Sequence, residues 1–195
     1  FPMRAMGQVH LRNQISVLHQ FDIRQPIDMT AAIGNSVLTS RGLEWNIDVS
    51  ARVDKQVVWT GESVFLHRCK TGVPRKAVAP IRREGEPLNW GVDADIGRRY
   101  ARVSGDYNPI HLTDITAKLF GFKQAIAHGM WTKARCLAAL DQQIPTEGYS
   151  VDVTFHRPLF LPSQVLFYSQ QLEGKQQFSL FNQTAEQAHL EGSIT

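Results

Sequence analysis

The chain has 195 residues, enough for one large domain or two small ones, and its 43% hydrophobic and 20% charged content is that of an ordinary globular protein. A formal net charge of +3 with scattered Lys and Arg, and no aromatic residues interleaved with a basic stripe, argues against nucleic acid as a partner. Two cysteines, Cys69 and Cys136, without CxxC spacing, argue against a disulfide framework and fit a reducing cytoplasm; no apolar run approaches the ~18 residues of a membrane span, and no signal-peptide pattern is visible.

Residues 8–21 show partial alternation, with Val9, Leu11, Ile15, Val17 and Phe21 spaced as one face of a strand. Gln25-Pro26 marks a turn, and Ile33-Gly34-Asn35-Ser36 is a second turn signal. Residues 43–53 alternate again, Asp54-Lys55 reads as a hairpin tip, and 56–67 supply the returning strand. The first third is therefore read as sheet. Residues 70–89 carry three prolines, two glycines and several basic residues, a linker composition.

Beyond the linker, Asp95 is a candidate cap for a helical turn that brings Tyr100 and Val103 inward. Thr113 is a candidate N-cap for a helix that Gly121 ends. Ile126, Met130, Ala134, Leu137 and Ala138 recur at helical spacing, which predicts a buried helix over about 128–140. Strands follow over 149–155, 164–172, 176–183 and 187–194, with a bend at Arg157-Pro158 and a turn at Glu173-Gly174-Lys175. The layout is α+β, one helix packed in a curved antiparallel sheet.

The chemistry concentrates in Ser104-Gly105-Asp106-Tyr107-Asn108-Pro109-Ile110-His111 and in Ala127-His128-Gly129-Met130. Pro109 makes the first stretch a rigid turn. A carboxylate and an imidazole on one turn, facing the start of a buried helix, suit proton transfer beside a polarised carbonyl. A lone pair of this kind is more often a turn cap and a satisfied core histidine, and the weight rests on the whole octapeptide. Gly129 stands at the expected helix N-terminus, where a backbone N–H is a ready oxyanion donor, although close helix–sheet packing would ask for the same glycine. Asn108 and Ser104 are either site or turn residues, and His128 shapes the pocket or caps the helix. No GxSxG, no GxGxxG after a strand and no metal-ligand spacing among His10, His19, His67 and His189 supports a serine hydrolase, a dinucleotide enzyme or a metal site.

These two motifs resemble those of the MaoC-like dehydratases, which include the (R)-specific enoyl-CoA hydratases, with the resemblance strongest over residues 89–165. It implies a hotdog fold and the interconversion of trans-2-enoyl and (R)-3-hydroxyacyl thioesters. It places the acid–base pair on Asp106 and His111, with Gly129 as oxyanion donor and Asn108, Ser104 and His128 around the substrate. No cofactor is expected beyond the coenzyme A or phosphopantetheine of the substrate itself. Expected partners are an acyl-CoA or acyl-carrier-protein thioester and, in solution, a second copy in a homodimer.

A weak internal likeness pairs Gln25-Pro26-Ile27 with Arg157-Pro158-Leu159 and the hairpin at Asp54-Lys55 with that at Gly174-Lys175. The expectation is a double hotdog: residues 1–70 as a degenerate, mostly sheet N-terminal half, 71–88 as linker and 89–195 as the catalytic domain. The central helix of the first half would have preceded Phe1. Two rival readings remain, a hotdog acyl-thioesterase and a non-catalytic acyl-thioester-binding subunit. The first counts as weaker because no acid follows His128 until Asp141.

Overall fold

Alternating apolar residues become strands throughout the computed structural model, which describes residues 8–75, 77 and 80–195. They gather into two compact units. One comprises Phe1–Pro80, Gln143–Thr154 and Gly192–Thr195; the other comprises Ile81–Gln142 and Phe155–Glu191.

The first unit holds β1 (Val9–Val17), β2 (Asp28–Thr39), β3 (Gly42–Val53), β4 (Gln56–His67) and nearly all of β6 (Tyr149–Phe155), in the spatial order β2-β3-β4-β1-β6 with antiparallel pairing. β3 turns into β4 at Asp54 and Lys55, both left-handed at φ 49° and 69°, the twist that a two-residue hairpin requires. Ala51, Val53 and Val58 form a small core, with Phe21, Ile27 and Trp59 packed against it. The turn expected at Ile33–Ser36 is instead a register shift inside β2. Gly34 lies so close to β3 that a Cβ there would come within 2.4 Å of Asn46 Nδ2, so this glycine serves a bulge and not a chain reversal.

The second unit holds β5 (Leu88–Val92), α1 (Ile96–Ser104), α2 (Asp114–Leu119), α3 (Gly129–Ala138), β7 (Ser163–Leu172), β8 (Lys175–Asn182) and the first residues of β9 (Ala188–Ile194). Its strands run β9-β8-β7-β5. β5 occupies the end of the stretch with linker composition. Val165, Phe167, Phe178, Leu180 and Leu190 fill the interior at 4% exposure or less. Glu173 and Gly174 repeat the left-handed pair of the β3–β4 hairpin. The parallel extends to connectivity: β6 precedes the meander β7-β8-β9 in the chain as β1 precedes β2-β3-β4.

Two expectations about helix faces are corrected here. Val103 points outward at 85% exposure, because Ala101 and Ile96 take the inner face of α1. On α3 the buried residues are Thr132, Lys133 and Cys136, while Ala134 and Ala138 are exposed. Thr132 tolerates burial because its hydroxyl donates to the carbonyl of His128, one turn earlier, at 3.1 Å.

Candidate active site

α1 ends at Gly105, left-handed at φ 75°, whose N–H returns to the Ala101 carbonyl at 2.9 Å. That stop delivers the chain into the polar turn. Ser104 Oγ donates to the Tyr100 carbonyl (3.0 Å) and accepts from the Asp106 N–H (3.2 Å), so Ser104 splices helix to turn. Asp106 Oδ1 accepts from the Asn108 N–H at 3.1 Å, and the Asn108 side chain caps the short 3₁₀ turn Pro109–His111 by accepting from Ile110 N–H at 3.4 Å. Asn108 is thus used locally in holding the turn. The Asp106 side chain remains 54% exposed.

His111 is 8% exposed. Its Nδ1 lies 2.8 Å from the Ile126 carbonyl. A carbonyl can only accept, so Nδ1 carries the proton and Nε2 presents a lone pair. The Ile126 N–H answers with a bond to the Ile110 carbonyl at 3.1 Å, and Asp114 Oδ1 accepts from Ala125 N–H at 2.8 Å. The segment leading into α3 is therefore stitched to the polar turn. From the other side Thr116 Oγ1 donates to the Pro109 carbonyl at 2.6 Å, and Gly97 of α1 approaches so closely that a Cβ would sit 1.8 Å from the His111 carbonyl oxygen.

His128, the N-cap residue of α3, is 3% exposed, and its ring stacks on His111 at 3.7 Å with 26° between planes. Its Nε2 donates to the Asp106 carbonyl at 3.0 Å and lies 3.7 Å from Asp106 Oδ2; its buried Nδ1 has no hydrogen-bond partner among the described residues. Tyr100 leans on the same ring at 5.0 Å. Burial pushes the His111 pKa down to about 4, helped by His128 beside it. Burial likewise lowers that of His128, against the opposing pull of the Asp106 carbonyl and carboxylate. Both rings are neutral at neutral pH. Burial first, then the Asp106 charge, raises the Tyr100 hydroxyl.

Gly129 is the first residue of α3, so its N–H has no intrahelical acceptor and points out of the positive end of the helix. A Cβ at Gly129 would meet the Phe155 ring at 3.1 Å, so close packing and the open N–H use the same glycine. Asp106, Ser104, Asn108, His111, His128 and Gly129 all lie in the second unit, and hydrogen bonds or ring contacts join the first five. The pattern did not foretell the His111–His128 stack or the roles of Gly97 and the Ile126 carbonyl. Nothing in a sequence marks a backbone oxygen fifteen residues away as the partner that selects a tautomer.

Asp106, His111 and His128 form a cluster whose ligand atoms lie within 4.8 Å of one another. The stacked rings argue against a metal ion there. Each ring plane would have to contain the ion at about 2.0–2.1 Å from nitrogen, which two stacked rings with centroids 3.7 Å apart and planes only 26° from parallel do not favour. The arrangement is suited to moving protons. No helix among the described residues is long and apolar enough to cross a membrane.

Comparison with known proteins gives the family. A MaoC-like domain model matches residues 73–192. The 3-hydroxyacyl-thioester dehydratase X of Mycobacterium tuberculosis is 34% identical over 205 residues, spanning 100% of this chain and 70% of that protein. The (R)-specific enoyl-CoA hydratase of Aeromonas caviae is 32% identical over 69 residues, 34% of this chain and 52% of its own. Among solved structures, HtdX of Mycobacterium tuberculosis superposes with a TM-score of 0.84 at 30% identity, covering 100% of this chain and 77% of that one. The chain belongs to the MaoC-like dehydratase family and has its hotdog fold.

Proposed function

We propose, from that membership, that the chain is a hydro-lyase of acyl thioesters that interconverts trans-2-enoyl and (R)-3-hydroxyacyl forms, with Asp106 and His111 as its catalytic pair, His111 carrying the proton and Asp106 holding the water. The observation that carries this reading is the clasped turn: an exposed carboxylate and an imidazole Nε2 with a free lone pair, held on one rigid loop beside the N-terminus of α3.

Hydration bonds the oxygen of water to C3 and a proton to C2. Neutral His111 takes a proton from water at Nε2 while the Asp106 carboxylate holds that water by accepting its other hydrogen. As the C3–O bond forms, the electron pair of the double bond moves toward the thioester, and the charge grows on its oxygen. The Gly129 N–H at the helix terminus stabilises that oxygen. The proton held on His111 then passes to C2, which restores the neutral ring. Dehydration runs the same steps backwards. Asn108 and Ser104 act through Asp106, and His128 fixes the turn from beneath by its bond to the Asp106 carbonyl.

A thioesterase would need a group to direct water at the carbonyl carbon, and α3 carries no carboxylate from Gly129 to Ala138. A pure binding subunit would have no use for a tautomer-fixed, neutral histidine next to an exposed carboxylate. The test is the ultraviolet absorbance of the conjugated enoyl thioester, with crotonyl-CoA and a longer trans-2-enoyl-CoA. Wild type consumes the absorbance and makes the 3-hydroxyacyl product with no free thiol. Asp106→Asn and His111→Ala each lose at least about 10²-fold in kcat. Thiol release by wild type would establish the thioesterase instead.

A further inference from the structure

We propose that the Tyr100 hydroxyl is a third catalytic group, donating a hydrogen bond to the oxygen that joins or leaves C3 of the acyl chain. This rests on the hydratase reading and deepens it by one residue.

The inner face of α1 sets the position. Ile96, Gly97, Tyr100, Ala101 and Ser104 recur at helical spacing. Gly97 is pressed against the His111 carbonyl and Ala101 is fully buried, so the face that also carries Tyr100 is the one turned toward the polar turn. Two contacts then fix the tyrosine, one at its root and one at its ring. Its carbonyl accepts from Ser104 Oγ at 3.0 Å, and its ring centre lies 5.0 Å from that of His128, at 57° to it. His128 in turn stacks on His111. The phenol is thus anchored on the second imidazole of the site.

Its hydroxyl forms no hydrogen bond among the described residues. Burial raises its pKa, and the Asp106 charge raises it further, so the hydroxyl senses the carboxylate without being bonded to it. At neutral pH it is a protonated donor.

The chemistry has a place for such a donor. The attacking water gives one hydrogen to His111 Nε2 and the other to Asp106, and both of these partners only accept. Of its two lone pairs, one forms the bond to C3 and the other is left for a donor. As Nε2 draws the proton away, this oxygen takes on hydroxide character. In the reverse direction it carries the charge of the departing hydroxyl. A donor aimed at it stabilises both. Other donors around Asp106 are committed elsewhere: Ser104 Oγ to the Tyr100 carbonyl, His128 Nε2 to the Asp106 carbonyl and the Asn108 N–H to Asp106 Oδ1. The Asn108 side-chain amide is a rival, although its oxygen is committed to capping Pro109–His111.

The experiment is Tyr100→Phe, which removes the oxygen alone and leaves the ring on His128. With crotonyl-CoA the expected loss is at least about tenfold in kcat, with KM within about twofold. The second readout is inhibition by two saturated ligands, (R)-3-hydroxybutyryl-CoA, which carries the C3 oxygen, and butyryl-CoA, which does not. Tyr100→Phe should weaken the first by roughly three- to tenfold and leave the second within about twofold. Unaltered affinity for butyryl-CoA also certifies that the variant folds. An unchanged kcat, or any loss without that discrimination between the two ligands, would reduce Tyr100 to packing on His128 and overturn the proposal. So would discrimination that appears instead in Asn108→Asp, which keeps the capping oxygen and loses the amide donor. Wild type inert on crotonyl-CoA and on a longer trans-2-enoyl-CoA would sink the hydratase reading, and this proposal with it.

Discussion

At the scale of single residues, the proposed chemistry depends on a neutral His111. Its ring is buried on another imidazole, and its pKa lies near 4 where a solvated histidine has about 6.5. In the proposed reaction its neutral form accepts the proton, so kcat/KM should hold level from neutrality to about pH 5 and fall on an acid limb near 4. A limb near 6.5 would mean that the ring titrates as if in water. The same shift bears on stability. Between about 6.5 and 4 the unfolded chain binds the proton and the folded one does not, so stability declines as pH falls through that window. The decline is of the order of 3 kcal/mol, measurable by urea melts at several pH values. Gly97 is the other residue on which the site turns. A methyl group there would press on the His111 carbonyl, and a displacement near 1 Å costs about 10²-fold in kcat. Gly97→Ala should therefore depress kcat more than it raises KM; an unchanged kcat would show that the turn yields without consequence.

At the scale of elements, α2 is short, and its start depends on Thr113, whose Oγ1 accepts from the Thr116 N–H at 3.1 Å. Thr113→Ala should cost about 1 kcal/mol in a urea melt and loosen the Thr116–Pro109 brace behind the polar turn. That cap was legible in the sequence because capping is local: a threonine, then an acid, then helix. Most strands were legible for the same reason, since alternation is written residue by residue, but β2 was hidden behind the turn signal of its bulge at Gly34 and β5 was not marked by the pattern. The faces of α1 and α3 were not. Val103 and the alanines of α3 scored as core by their apolarity, yet Lys133 and Thr132 took the buried positions. Burial depends on what a neighbouring element presents, and small alanines cost little when left in water. The motif around Asp106 and His111 stood out, but its working order comes from Ile126, Gly97 and the His128 stack, all set by tertiary approach.

At the scale of the whole molecule, stability is distributed unevenly. β2 is exposed along eleven of its twelve residues, with Met29 and Ile33 each 61% open, and its outer edge has no pairing strand among the described residues. β8 is paired on both sides and mostly buried. Amide hydrogen exchange should accordingly be fastest along β2 and slowest along β7 and β8. Uniform protection across all of these strands would show that β2 is covered in solution, with the apolar row as the surface that is covered.

The bonds that order the site lie within the run from Gly97 to Leu161, which closes on itself where the Ala127 N–H meets the Leu159 carbonyl (2.8 Å) and the Leu161 N–H meets the Ala125 carbonyl (2.9 Å). Heredity can therefore handle it as a cassette. A gene fusion or rearrangement that leaves this run unbroken carries the proton chemistry into new surroundings, where the rest of the polypeptide is free to diverge toward other acyl groups. A break inside it forfeits the chemistry at a stroke.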